Sequence, residues 1–228
     1  MSIAALLFDM DGVVINSHAD VTNFWLEMAA KYGVHLTDDD FAHHIYGCPM
    51  RHTLDVCFPM LDAAQQAAAH AYHIDYEINL TYTPIPGILP LLESLRQRGV
   101  PTALVTGGEA HKVQTVLDQL DLHAAFRTTV NAGEIPRGKP HPDGYLLAAE
   151  RLGIAPGRCL VFEDAVNGVQ SALAAGAHCV GVDSWGNGPA LLPLGIYALI
   201  PDFSAVRLVG AALHLDGSHI LTLDLPKS

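Results

Sequence analysis

Residues 6–17 read LLFDMDGVVINS. The apolar run that leads into them, residues 3–8, has no polar interruption, which is the pattern of a strand buried on both faces. It stops at two aspartates one residue apart, Asp9 and Asp11, followed by Gly12. A strand of that kind belongs to a parallel sheet covered by helices, and such sheets bind ligands beyond the carboxyl ends of their strands. Two carboxylates crowded there repel each other unless a counter-charge is supplied. The stretch therefore predicts both a fold class and the edge at which to look for chemistry.

From residue 17 the texture changes. Phe24, Met28 and Tyr32 recur at helical spacing, and Gly33 closes the segment. Thr37 caps the next helix, with Asp38, Asp39 and Asp40 in its first turn, where negative charge suits the helix dipole. Residues 63–78 predict a long alanine-rich helix. TPIPGI, residues 83–88, then breaks the chain. Beyond it, predicted helices at 88–98, 110–120, 144–152 and 166–175 alternate with strands at 102–105, 128–131, 159–162 and 179–182. Segments 211–215 and 219–223 flank Asp216-Gly217 as a hairpin. The expected architecture is α/β, a doubly wound, Rossmann-like parallel sheet built from residues 1–16 and 84–228, with a helical cap inserted at 17–83.

The bulk properties suit this. The chain has 228 residues, 50% hydrophobic and only 16% charged, enough for one large domain or one domain with a substantial insert. A formal net charge of −12 disfavours nucleic acid as a partner. Cys48, Cys57, Cys159 and Cys179 form no C-x-x-C pair and read as small buried residues in a reducing compartment. The N-terminus has no signal-peptide pattern, and the apolar stretch 191–200 is broken by Pro193 and Gly195, so no membrane span is expected and cytoplasm is the expected location.

The other strand ends carry chemistry too. Thr106, Gly107 and Gly108 follow the strand at 102–105, Lys139 lies in the loop IPRGKPHPDGY at 135–145, and Glu163 and Asp164 follow the strand at 159–162. Each has an ordinary explanation alone: a solvated turn, a strand-to-helix turn, a loop lysine, a capping pair. Together they fall on one edge and their chemistries interlock. Mg²⁺ takes oxygen ligands, only a few of them carboxylates, and would neutralise Asp9 and Asp11 with Asp164. A turn of open amides with a hydroxyl is a phosphate cradle, and a lysine facing it adds a point charge. The implied ligand is a phosphoryl group.

FDMDGV (8–13), LVTGG (104–108), GKPHPDGY (138–145) and VFEDAVNGV (161–169) resemble, in order and spacing, the motifs of the haloacid dehalogenase superfamily. The position of the insert resembles its helical-cap subgroup, which includes sugar phosphatases and β-phosphoglucomutase. The resemblance implies Asp9 as nucleophile forming an aspartyl-phosphate, and Asp11 as general acid and then base. It implies Thr106, Gly107 and Gly108 as phosphoryl-binding groups and Lys139 as the charge between phosphate and Asp9. It also implies a Mg²⁺ site of Asp9, Asp164 and the Asp11 main-chain carbonyl, supported by Glu163, with Asn167 orienting the same shell.

Substrate choice would then rest largely with the cap. In HIYGCPMRHTL (44–54), Gly47 and Pro49 interrupt the helix, and Arg51, with His52 and His44 after it, is the candidate for reaching substrate from a loop. His18, His35, His43, His70 and His73 show no metal-ligand spacing. Three readings follow: a phosphatase of a small phosphorylated metabolite such as a sugar or polyol phosphate; a phosphomutase; and a phospho-accepting signalling module. The mutase resembled by this chain holds a second phosphate with a Ser-Lys-Asn run, where this sequence has Gly108, Glu109 and Ala110, and it has a cap histidine where Val21 stands here. Receiver modules lack the insert and an acidic pair like Glu163-Asp164. The expected partner is a small-molecule phosphate ester; oligomeric state leaves no mark in the sequence.

Overall fold

The computed structural model describes residues 2–225. The chain opens with β1 (Ser2–Ile3) and β2 (Ala5–Phe8). It then enters helices α1 (His18–Tyr32) and α2 (Asp38–Asp40), a π-helical turn (Phe41–Ile45), α3 (Met50–Cys57) and α4 (Ala63–Ile78). After α5 (Ile88–Gln97) come β3 (Thr102–Val105), α6 (Ala110–Leu120), β4 (Thr128–Val130), α7 (Asp143–Leu152), β5 (Cys159–Glu163), α8 (Val166–Ala174) and β6 (His178–Val182). The chain closes with α9 (Gly188–Leu191), β7 (Ala198–Ile200), β8 (Arg207–Val209), β9 (Ala212–His214) and β10 (Ile220–Leu223).

Six strands form a parallel sheet in the order β4-β3-β2-β5-β6-β7. β2 is central because its alternate side chains feed two cores. Leu6 and Phe8 join the cluster with Leu92 and Val116 of α5 and α6, while Ala5 and Leu7 join that with Tyr145, Ala148 and Val169 of α7 and α8. The chain leaves β2 toward β3 on one side and later fills the other side with β5, so the strand order reverses at β2, the place where ligands lodge in open α/β sheets. Just inside that edge Phe8 stacks on Phe162 at 5.0 Å, and Phe203 meets Phe162 edge-on at 5.2 Å. These rings fix the two strand ends that carry Asp9 and Glu163.

Helices α1 to α4 enclose an apolar cluster of their own, including Phe24, Trp25, Met28, Leu54 and Phe58. α1 stops at Gly33, whose φ of 68° is left-handed, and α4 starts at a reciprocal cap between Asp62 and Gln65. The two strands of chain that join this helical segment to the sheet run side by side: the Asn16 N–H donates to the Thr83 carbonyl (2.8 Å) and the Ile85 N–H to that of Val14 (3.0 Å).

Three local features depart from the sequence expectation. Residues 3–8 are not one strand: β1 pairs with β10 in a small separate sheet, β1-β10-β9-β8, and only β2 enters the main one. The switch falls at Ala4, whose N–H donates sideways to the Arg158 carbonyl (2.8 Å). Pro49 begins a helix rather than leaving a loop, so Arg51 and His52 stand in the first turn of α3. β7 and β8 were not foreseen. Among the described residues no helix is long and apolar enough to cross a membrane.

Candidate active site

Three acidic residues meet at the reversal point. Asp9 follows β2, Glu163 ends β5, and Asp164 comes next; carboxylate oxygens of all three lie within 4.8 Å of one another, and all three residues are buried. Lys139 reaches them from the loop after β4, donating to Asp9, to Glu163 Oε1 and, at 3.4 Å, to the Val105 carbonyl. The Tyr145 hydroxyl donates to the same Glu163 oxygen, leaving Glu163 Oε2 buried without a partner among the described residues. Asp164 accepts from Trp185 Nε1 at 2.8 Å, and its main-chain carbonyl accepts from the Asn187 amide.

Three buried carboxylates thus face one ammonium. Burial first, then the charges of Glu163 and Asp11, push Asp9 up to about 7 against the pull of Lys139. Burial and the neighbouring carboxylates of Asp9 and Glu163 likewise raise Asp164 well above the usual range. Burial alone would lower Lys139, but Asp9 and Glu163 outweigh it and raise it. The surplus of negative charge, the all-oxygen donor set and the orphaned Glu163 oxygen fit a hard divalent cation.

Facing this cluster is the turn after β3. Thr106 is buried, and its Oγ1 accepts from the Gly108 N–H at 2.9 Å, curling the turn before α6. The helical segment presses on it: a Cβ built on Gly107 would lie 2.9 Å from the Gly47 carbonyl oxygen, and one on Gly138 would lie 2.6 Å from Pro49 Cγ. The Asn167 amide donates to the His43 carbonyl at 3.0 Å and to Cys48 Sγ at 3.3 Å, a further tie between α8 and the helical segment.

Asp11 points elsewhere. Its carboxylate accepts from the Ser17 hydroxyl and from Lys112 Nζ (2.7 Å). It is therefore not part of the three-carboxylate cluster. Lys112, against the cost of burial, holds its carboxyl below the usual range. Arg51 and His52 are not brought to the cluster either. The Arg51 side chain is 93% exposed and 3.9 Å from Asp55, and His52 lies 3.2 Å from His44; both line a groove that runs past Glu109 and Arg137 rather than the cavity over Asp9.

Several residues of the cavity were not singled out from the sequence. Lys112, Glu77, Ser17 and His18 line it with Asp9, Asp11 and Thr106. Tyr145 stood in the quoted GKPHPDGY stretch without a role of its own. Trp185 and Asn187 lie past the carboxyl end of β6, so the strand-end rule applied to residues 178–182 would have found them. Trp185 also stacks on His18 of α1 at 4.2 Å and packs on Tyr46 at 5.1 Å.

Comparison with known proteins shows the family. The family profile of the haloacid dehalogenase-like hydrolases matches residues 3–176. The chain is 34% identical over 193 residues to hexitol phosphatase A of Escherichia coli, covering 84% of this chain and 88% of that protein. It is 30% identical over 202 residues to a phosphorylated carbohydrates phosphatase of Thermotoga maritima, covering 86% and 93%. Among solved structures, a hydrolase from Pseudomonas syringae superposes with a TM-score of 0.78 over 88% of this chain and 94% of that one, at 24% identity, a likeness of fold.

Proposed function

The chain belongs to the haloacid dehalogenase-like hydrolases, and from that membership we propose that it is a Mg²⁺-dependent phosphatase of a sugar or hexitol phosphate, acting through an aspartyl-phosphate on Asp9. The observation that carries this reading is the Asp9–Lys139 pair at the reversal of the sheet, with a second carboxylate, Asp11, two residues on and a Thr-Gly-Gly turn opposite. The names of the two relatives support the substrate class.

In this mechanism Asp9 attacks phosphorus and the bond to the ester oxygen breaks. Asp11, whose carboxyl Lys112 holds below the usual range and which must therefore first take up a proton from solvent, gives that oxygen its proton. It then takes a proton from the water that attacks the aspartyl-phosphate, releasing inorganic phosphate and restoring the Asp9 carboxylate. Thr106 and the amides of Gly107 and Gly108 hold the phosphoryl oxygens, and Lys139 balances their charge against Asp9. Bound between Asp9, Asp164 and the Asp11 main-chain carbonyl, with Glu163 and Asn167 behind, Mg²⁺ would supply charge compensation for the transferring group. Residues 17–83 serve as a lid that excludes bulk water, hinged at the paired segments 14–16 and 83–85.

Release of inorganic phosphate from a panel of hexitol, sugar, glycolate and nucleotide monophosphates with Mg²⁺ tests the reading. The highest kcat/KM is expected on hexitol or sugar phosphates. With β-glucose 1-phosphate and a trace of the bisphosphate, glucose 6-phosphate is not expected to accumulate, because Glu109, which pairs with His70 at 2.7 Å, offers a distal phosphate no cation. Glucose 6-phosphate formed faster than phosphate would install the mutase instead, and no phosphate from any ester would sink the phosphatase.

Gly12 gives a sharper check on Asp164. Its φ is 71°, and a Cβ there would land on the Asp164 carboxylate. Gly12→Ala is expected to raise the Mg²⁺ concentration for half-maximal activity about 10–100-fold, the usual cost of disturbing a metal ligand's support. A Mg²⁺ titration that superposes on that of the unaltered protein would remove Asp164 from the ligand set.

A further inference from the structure

The loop that follows β6 grips Asp164 and Gly12 together. It is tied to itself where the Gly188 N–H donates to Asp183 Oδ1 at 2.7 Å. From that frame three side chains reach across. Ser184 Oγ donates to the Gly12 carbonyl at 2.7 Å, Trp185 Nε1 to Asp164 Oδ2 at 2.8 Å, and the Asn187 amide to the Asp164 main-chain carbonyl. The indole is fixed in turn by the rings of His18 and Tyr46, whose centroids lie 4.2 and 5.1 Å from its own. Asp164 is only 8% exposed, and among the described residues no other side chain hydrogen-bonds its carboxylate. The two oxygens of that carboxylate therefore differ. Oδ2 takes the indole N–H and lies against the Gly12 main chain, 2.0 Å from where a Cβ on Gly12 would stand. Among the described residues, Oδ1 accepts no hydrogen bond.

We infer that Trp185 is a positioning residue for Asp164 and that, by claiming Oδ2, it leaves Asp164 to bind a cation through Oδ1 alone, which favours Mg²⁺ over Ca²⁺. The inference rests on the reading of Asp164 as a metal ligand and adds the group behind it that sets its selectivity. Mg²⁺ demands a near-octahedral shell of oxygens at short distance, whereas Ca²⁺ takes more ligands at longer distances and accepts both oxygens of one carboxylate. A carboxylate tethered by Oδ2 presents both oxygens only by giving up a buried, charge-assisted hydrogen bond. That cost falls on Ca²⁺ and spares Mg²⁺. The rings packed on the indole keep its N–H on Oδ2, so the tether does not drift with side-chain rotation. Groups that orient a metal's ligands govern affinity in this way.

The test reads cation binding to the full chain directly, by calorimetric titration with MgCl₂ and CaCl₂ and by the rise in thermal midpoint that each cation gives. Trp185→Phe keeps a ring against His18 and Tyr46 and removes the donor. Mg²⁺ is expected to bind it about 10-fold more weakly, the lower end of the cost of losing such a group. Ca²⁺ is expected to bind as well as before or better, so the preference for Mg²⁺ falls by the same factor or more. Trp185→Gln removes the ring but sets an amide nitrogen as many bonds from the backbone as Nε1, and is expected to restore most of the preference. Ser184→Ala loosens the same loop without touching Asp164 and should leave the ratio of the two affinities unchanged. Equal weakening of both cations in Trp185→Phe, or no change in either, would leave Trp185 without a part in selectivity and overturn the inference. So would a loss of preference in Trp185→Gln as large as that in Trp185→Phe. Asp164→Asn separates the two readings. If it binds Mg²⁺ as the unaltered chain does, or if the unaltered chain binds neither cation, the metal assignment fails and the inference with it. If it loses Mg²⁺ while Trp185→Phe keeps the unaltered ratio, only the inference about Trp185 fails.

Discussion

Asp9→Asn is expected to abolish phosphate release, by roughly 10⁴-fold or more, the scale of losing a nucleophile. The amide has the same shape and is neutral, so it cannot form the acyl-phosphate. It is also expected to raise the thermal midpoint of chelator-treated protein near neutral pH. The sign follows from the raised pKa of Asp9, pushed up by burial to about 7 in the folded chain against 3.8 for an ordinary aspartate. A carboxyl that binds its proton more tightly when folded loses stability as pH rises through that range, and an amide has no proton to lose. Lys139 keeps Glu163 as its partner in the variant. Loss of turnover with an unchanged or higher midpoint, in protein shown by mass spectrometry to be free of deamidation, is the expected pair of results. Appreciable turnover would take Asp9 out of the nucleophile role.

Removing divalent cations is expected to stop turnover as completely, with recovery on adding Mg²⁺ and little recovery with Ca²⁺. The cause is the charge balance among Asp9, Glu163, Asp164 and Lys139. A cation that stabilises the transferring group by several kcal/mol accounts for about 10³-fold or more in rate. Ca²⁺ prefers more ligands at longer distances and would draw the nucleophilic carboxylate into bidentate contact. Mg²⁺ should also raise the thermal midpoint, since it binds the folded chain, and Asp164→Asn should cancel that rise. Full activity in protein proved metal-free would refute the metal assignment.

The alternation of elements was legible because each piece of evidence for it is local. Glycines close helices at Gly33 and Gly153, and short apolar runs mark strands such as Thr102–Val105, whose bounds agree with the reading from sequence. Asp9, Thr106, Lys139, Glu163 and Asp164 could be gathered from far apart because one rule about strand ends points each to the same edge. What escaped depends on distant partners. β1 separates from β2 only because β10, more than 200 residues on, offers Thr222 and Leu223 as partners. Nothing near Lys112 announces that it is buried, since its partners Asp11 and Glu77 come from other elements. Arg51 drew notice as a basic residue after a proline turn, but Pro49 starts α3 and its side chain faces solvent.

Trp185 has a use beyond its place in the fold. Its indole rests on His18 and Tyr46 of the helical segment while its N–H rests on Asp164 of the sheet. The other tryptophan, Trp25, stays inside the helical segment's own apolar cluster. Trp25 also lines the cavity over Asp9, so ultraviolet emission from the unlabelled chain has two sources at the seam, and the Trp185→Phe variant separates them. Lifting the helices would leave Trp185 to water and shift its emission to longer wavelength, and a cation arriving at Asp164 would alter the acceptor of its N–H. Stopped-flow emission in the native protein would time any such opening or metal arrival, with Trp185→Phe as the control that removes its signal.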